Sequence, residues 1–294
     1  MIRVDSDFFS EGTRCAGRLY LPEGVHKPPV VIMAHGFAAQ CDFGLPAFAE
    51  RFTGQGLAVY MFDYRNFGAS GGEPRNLVNP GRQVQDWKAA LAHVRRLAGL
   101  NTEKIALWGT SFSGGHVLAV AAKTPGISAL VAQVPFVDGL AVARKAGLKY
   151  VLQGFWHGLR DLLRAATFRR PYCVPVVADP DTFAVMNTPE SKPGYLSLLP
   201  AEGAGWENRC PARILWRIPF YRPGAAAARI NCPVLIVAAE NDSLIPVEAV
   251  ERTARKIKKV KYVSLPVGHF DVYTGDVFDY VSRLQGDFLR QHLA

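Results

Sequence analysis

The 294-residue chain contains no apolar run approaching the roughly 18 residues that a membrane span requires. Its first residues, Met1 to Asp7, carry charges where a secretory signal would have an apolar core, which argues against export by that route. Cysteine is sparse: five residues, at positions 15, 41, 173, 210 and 232, widely spaced and without a C-x-x-C pair. Their odd number and spacing speak against a disulfide frame or a zinc site, and read as reduced thiols of a cytoplasmic protein. No glycine-rich dinucleotide fingerprint follows a strand-like run, so hydride chemistry on a bound nucleotide is not expected. Internal repeats and low-complexity linkers are also missing.

Acidic residues are under-represented, and unevenly so. The formal net charge is +9. Between Gly139 and Ile230 there are 13 Lys/Arg against 6 Asp/Glu, a difference of +7, whereas the rest of the chain holds 21 against 19, a difference of +2. No nucleic-acid-binding motif accompanies this charge, so a nucleic-acid partner is not expected. The basic middle reads as a solvated surface, or as a rim that attracts anionic substrates or an acidic partner.

What the chain does have is hydrophobic residues, at 49%, in a regular alternation. Residues 3–9 and 13–20, separated by Ser10-Glu11-Gly12, predict an antiparallel hairpin. Continuous apolar runs at 29–34 and 57–62 predict strands buried on both faces, with further strands at 104–108, 127–134, 233–239 and 260–265. Helices are predicted at 44–53, from Asn79-Pro80 to Leu97, at 117–122, at 247–257 and at 274–291. In the second of these, Asn79 serves as cap, Pro80 opens the first turn, and Val84, Trp87, Leu91 and Val94 face the core. Strands alternating with helices imply a mostly parallel sheet with helices on both faces. The alternation stops between 135 and 230, where prolines, aromatics and most of the excess charge collect. This divides the chain into a core, 1–134 and 231–294, and an inserted lid, 135–230, expected over the carboxyl ends of the strands.

Candidate chemistry starts at Gly109-Thr110-Ser111-Phe112-Ser113-Gly114-Gly115. A strand ends here in a tight turn and a helix follows, which is the setting of a nucleophile elbow. The residues two before and two after the serine must be small, and here they are Gly109 and Ser113. Ser113 also has small neighbours, but it would fall inside the helix. A serine hydroxyl needs a base, and the base needs an orienting acid. His269, in the loop after the last strand, is the candidate base; His35, His116 and His26 are less well placed. Asp242, after strand 233–239, is the candidate acid, with Glu240 and Asp138 as alternatives. The order Ser, acid, His is that of α/β-hydrolases. Main-chain N–H groups of Phe112 and Phe37 are the candidate oxyanion hole. Asp63 and Arg65 read as a structural ion pair.

Together, His35-Gly36-Phe37, the loop Asp63-Tyr64-Arg65-Asn66-Phe67-Gly68-Ala69-Ser70, the Ser111 elbow, Asp242 and Gly268-His269-Phe270-Asp271 resemble the α/β-hydrolase superfamily. The elbow and the terminal Gly-His-Phe-Asp look like the branch holding dienelactone-hydrolase-like and prolyl-peptidase-like proteins and polyketide transferases. The resemblance implies an eight-stranded, mostly parallel sheet with the lid inserted after strand 6, and a triad of Ser111, Asp242 and His269. The expected activity is hydrolysis of a carboxylic ester or thioester through an acyl-enzyme. Acyl transfer and cleavage of short peptides use the same triad, and a non-catalytic binding protein is the reading from another class. The expected partner is a small acyl molecule; no metal or cofactor is required, and a homodimer is compatible. Phe155, Trp156, Phe168, Tyr172, Phe183, Met186, Tyr195, Trp206, Trp216, Phe220 and Tyr221 are expected to pack the lid, some of them lining an acyl pocket.

Overall fold

The computed structural model describes residues 1–200 and 205–294. Among these residues, eight strands form the central sheet. In chain order they are β1 (Ile2–Asp5), β2 (Gly17–Leu21), β3 (Pro29–Ala34), β4 (Ala58–Phe62), β5 (Asn101–Thr110), β6 (Ala129–Gln133), β7 (Val234–Ala239) and β8 (Val260–Leu265). Their spatial order is β1-β2-β4-β3-β5-β6-β7-β8. The β1–β2 and β2–β4 pairs are antiparallel and the remaining pairs parallel. Strands β4, β6 and β7 are buried at every residue, as their unbroken apolar sequences require. Helices α1 (Leu45–Gly54) and α8 (Gly275–Leu293) pack together on one side of the sheet; α2 (Pro80–Val94) and α3 (Phe112–Ala121) pack together on the other.

The amino-terminal hairpin is divided where a single ladder was expected. Ile2–Asp5 pairs with Gly17–Leu21 in the main sheet, while Phe8–Ser10 pairs with Thr13–Cys15 as a separate ribbon. The break lets Phe8 turn inward, where its ring meets those of Tyr60 and Phe62. Helix α2 starts as predicted, with the Asn79 side chain accepting from the N–H groups of Gly81 and Arg82. It ends at Val94, and its buried stripe is Gln83, Asp86, Trp87, Ala90, Leu91 and Val94. Val84 is partly buried and packs against the core as expected, and the polar Gln83 and Asp86 share the buried face. These two can do so because each has a partner: Gln83 meets His116, and Asp86 meets Arg65.

Among the described residues between β6 and β7 lie α4 (Gly139–Ala146), α5 (Leu148–Ala166), α6 (Ser191–Leu196), three short 3-10 turns and a two-residue antiparallel pair, Cys173–Val174 with Cys210–Pro211. Helix α7 (Val247–Ala254) joins β7 to β8. The chain leaves β3 for β4 on one side and returns to β5 on the other. Crevices at the carboxyl ends of strands form at such switch points, because the loops there diverge.

Arg65 pairs with Asp86 and not with Asp63, contrary to the sequence expectation. Its Nε donates to Asp86 Oδ1 at 2.5 Å and its main-chain N–H donates to Oδ2 at 3.1 Å. Asp63 instead accepts the N–H groups of Cys41 and Ala69. Both members of the Arg65–Asp86 pair are buried. Asp86→Ala would leave a buried, unpaired guanidinium, and should lower unfolding free energy in urea by about 3–5 kcal/mol; a loss under about 1 kcal/mol would show that the pair is not a support of the β4 loop.

Candidate active site

The turn from β5 into α3 gives Ser111 φ 54° and ψ −120°, a conformation that a residue with a side chain seldom adopts. Three hydrogen bonds hold it there. Ser111 N–H donates to the Gln133 carbonyl at 2.9 Å, and the Ser111 carbonyl accepts from Phe136 N–H at 2.9 Å and Gly115 N–H at 3.3 Å. A Cβ on Gly109 would collide with the Ser113 carbonyl, which is the physical content of the small-neighbour rule. On the β3 side, a Cβ on Gly36 would lie 3.2 Å from Ser111 Cβ. Glycine therefore lets the loop carrying Phe37 approach the serine. Among the described residues, the main-chain N–H groups of Phe37 and Phe112 have no hydrogen-bond partner within the protein.

Ser113 tolerates its position for a different reason. It is fully buried, and its hydroxyl hydrogen-bonds the Tyr64 hydroxyl at 2.7 Å, which in turn accepts from Trp87 Nε1 at 2.8 Å. The extra oxygen relative to the usual glycine is thus satisfied inside the core, away from His269.

His269 and Asp242 come from the loops after β8 and β7. His269 Nε2 lies 3.0 Å from Ser111 Oγ, and His269 Nδ1 lies 2.6 Å from Asp242 Oδ2. A carboxylate only accepts, so Nδ1 carries the proton and Nε2 is free to accept from the serine hydroxyl. The other oxygen of Asp242 accepts from the N–H groups of Leu244 and Ile245, both at 2.8 Å. Burial by itself would lower the His269 pKa; the charge and hydrogen bond of Asp242, with the charge of Glu190, more than offset it, so the net shift is upward. The other histidines behave differently. Burial lowers His35 to about 4 and His116 to about 3, so both are neutral. His35 Nδ1 contacts the Gly36 carbonyl, and His116 lies between Tyr221 and Gln83. Of the alternative acids, Glu240 is exposed, and Asp138 caps α4 while pairing with Arg222.

Sequence reasoning missed two features. One is a buried chain of hydrogen bonds beneath the elbow. Trp108 Nε1 donates to Gln285, Gln285 to Gln133, and Gln133 to Thr110, whose hydroxyl meets that of Tyr273. The other is Glu190. One carboxylate oxygen accepts from the N–H and hydroxyl of Ser243, beside Asp242, and the other accepts the His269 N–H at 3.1 Å. Glu190 thereby ties the Asp242 loop to the His269 loop. Its partners lie 53 and 79 residues away along the chain, and no local pattern announces them.

A cavity of about 300 Å³ opens beside Ser111 and His269, bordered by Phe112, Phe136, Tyr150, Leu215, Ile218 and Ile245 among others. A smaller hollow of about 30 Å³ lies by Gly36, Leu45, Tyr195, Phe270 and Tyr273, and shares Phe37, Ser111 and His269 with the first. Of the large side chains expected to pack residues 135–230, Met186 borders both spaces. Others anchor to the strand-end loops: Tyr195 donates to the Phe37 carbonyl and Trp206 to the Ala38 carbonyl. Trp156, Phe168 and Phe220 are exposed and pack neither the segment nor the cavity. Among the described residues, no cluster of His, Cys, Asp and Glu has the arrangement of a metal site, and no helix is long and apolar enough to cross a membrane.

Comparison with known proteins bears on the family and the fold. A family model described as serine aminopeptidase, S33, matches residues 26–164. The quorum-quenching protein AidA of Acinetobacter baumannii is 37% identical over 288 residues, covering 98% of this chain and 94% of AidA. The polyketide transferase GrgF of a Penicillium species is 27% identical over 296 residues, covering 99% and 97%. The crystal structure of GrgF, an α/β hydrolase, superposes with a TM-score of 0.84 over 100% of this chain and 99% of that one, at 26% identity. The structure of DcsB with a substrate analogue superposes with a TM-score of 0.86 at 24% identity, covering 99% of each chain. On the extent and identity of these matches, the chain belongs to the α/β-hydrolase superfamily of serine hydrolases.

Proposed function

We propose that the protein hydrolyses a carboxylic ester or thioester with a medium-length apolar acyl group, through an acyl-enzyme on Ser111. The reading rests on one observation, the hydrogen-bonded line from Asp242 through His269 to Ser111 at the mouth of an apolar cavity. His269 Nε2 takes the Ser111 proton as Oγ attacks the acyl carbonyl carbon. The developing oxyanion accepts from the N–H groups of Phe37 and Phe112. Asp242 holds the imidazole in its tautomer and stabilises the imidazolium. The leaving group departs with the proton from His269. Water, deprotonated by the same nitrogen, then releases the acid and restores Ser111.

Residues 135–230 act in this reading as a lid. They supply Tyr150, Met186 and Leu215 to the cavity wall, and Glu190 to the backs of the acid and base loops. The smaller hollow suits water or a short leaving group, since a single water needs only about 10–15 Å³ of such space. Free thiols at all five cysteines support a cytoplasmic setting. Acyl transfer is the second reading, favoured by the full-length match to a polyketide transferase. It requires an acceptor alcohol or amine in place of water, and product analysis with added acceptors separates the two.

Ser111→Ala should abolish labelling by a fluorophosphonate probe and lower ester turnover by about 10⁴–10⁶-fold. Ser113→Ala should keep both labelling and most of the turnover; labelling retained in Ser111→Ala would overturn the assignment. Because the His269 pKa is raised and the base must be neutral, kcat/KM should climb with pH through a midpoint above the ordinary value of about 6.5. Asp242→Asn removes the charge that opposes burial. It should move that midpoint down and lower kcat by about 10⁴-fold, and an unmoved midpoint would assign the titration to another group. A chain-length series of acyl esters should peak beyond acetyl, whereas a flat series would remove the cavity from the acyl site.

A further inference from the structure

Helix α5 presents different faces to different surroundings. Tyr150, Val151 and Gly154 border the larger cavity. Gly154, Gly158 and Asp161 are buried against the Ala212–Trp216 turn. Asp161 accepts from the main chain of Tyr172 and Arg213 and from the Arg213 guanidinium, which anchors the helix. Phe155 also meets this turn, its ring 4.8 Å from that of Trp216, but five large apolar residues of the helix face outward. Leu148, Leu152, Trp156, Leu159 and Leu163 are 74, 59, 67, 36 and 60% exposed. At about 100° per residue these five fall within about 80° of arc, a stripe running the length of the helix. Singly exposed apolar residues are ordinary, but a contiguous stripe marks a surface that is covered in use.

The charge along this stretch of the chain is almost all of one sign. From Gly139 to Arg170 the chain carries seven Lys/Arg, at 144, 145, 149, 160, 164, 169 and 170, against one acid, Asp161, which is fully buried. Lys149 and Arg160 lie along one edge of the stripe and are exposed, the Arg160 guanidinium resting 4.3 Å over the Tyr172 ring. Phe168, beside Arg169 and Arg170 just beyond the helix end, is 99% exposed.

We propose that the α5 stripe docks the protein on an anionic phospholipid surface. The leucines and Trp156 enter the boundary between head groups and acyl chains, while Lys149, Arg160, Arg169 and Arg170 rest against lipid phosphates. An apolar face with a tryptophan, edged by lysine and arginine and without acids, is the pattern of a helix lying in a membrane interface. A second copy of the chain fits less well. A two-fold contact requires the surface to complement itself, and this one would bring cations against cations with no exposed carboxylate on the helix to meet them. The docking orients the protein so that the helix walling the cavity is the one in contact with lipid. It goes beyond the hydrolase reading and does not depend on it, since none of the docking residues is Ser111, Asp242 or His269.

Flotation of the full chain with vesicles is the test. The protein should float with vesicles of equal phosphatidylcholine and phosphatidylglycerol, about tenfold or more better than with phosphatidylcholine alone, and salt should weaken the binding. Leu152→Ser combined with Trp156→Ser should lower flotation about tenfold or more while leaving the urea midpoint and turnover of a water-soluble ester unchanged. Lys149→Glu combined with Arg160→Glu should do the same with the apolar stripe intact. Absence of wild-type flotation on the mixed vesicles at low salt would overturn the proposal, as would flotation unchanged in both double variants. A wild-type dimer lost in the Leu152→Ser/Trp156→Ser protein would assign the stripe to a second copy instead.

Discussion

The backbone at Ser111, with φ 54° and ψ −120°, is a conformation that costs on the order of 1–3 kcal/mol and persists only where the surroundings over-determine it. Much of the nearby structure serves that end. The end of β6 accepts the serine N–H, and the segment just beyond it donates back to the serine carbonyl through Phe136. Gly109 and Gly36 leave out the side chains that would otherwise push the turn open. A strained turn at the end of a central strand raises the serine above the sheet, within 3.0 Å of His269.

A second layer of order sits beneath the turn. The line from Trp108 through Gln285 and Gln133 to Thr110 and Tyr273 links β5, β6, α8 and the segment just after His269. Each hydrogen bond in it is buried, and in a low-dielectric interior a polar group without a partner is costly, so such a chain holds its members in one arrangement. Glu190 performs a related task from outside the sheet, gripping the loops of Asp242 and His269 together. Segments far apart in the chain are thus brought to bear on a few ångströms of geometry.

Burial has opposite consequences for the histidines around this centre. His116 lies among neutral partners and His35 has a carboxylate, that of Asp63, no nearer than 3.9 Å, so desolvation drives their pKa values down to about 3 and about 4. His269 is just as enclosed, but a carboxylate 2.6 Å away reverses the outcome. An imidazole held in this way can accept a proton without losing its place, which is what a general base requires. The same logic of paired and unpaired groups applies at α5. Its one acid is buried and matched by Arg213, whereas Lys149, Arg160 and the leucine stripe are exposed.

The sequence by itself determined the alternation of strands and helices, and hence the sheet, because runs such as Val30–Ala34 and Val234–Ala239 are too uniformly apolar to lie anywhere but the centre of a covered sheet. It also pointed to Ser111, Asp242 and His269 as candidates, since each follows a recognisable strand in a loop, and the structure brings the three into one hydrogen-bonded line. Tertiary structure alone decided the partners of groups with no local signature. Arg65 faces Asp86 across 21 residues, Ser113 is satisfied by Tyr64 across 49, and Glu190 reaches His269 across 79. It also decided that the polar Gln83 and Asp86 are buried on the face that carries Trp87 and Leu91, and that Trp156 is exposed where packing within the lid was expected. Periodicity records which residues share a face of a helix; what lies opposite that face depends on the path of the rest of the chain.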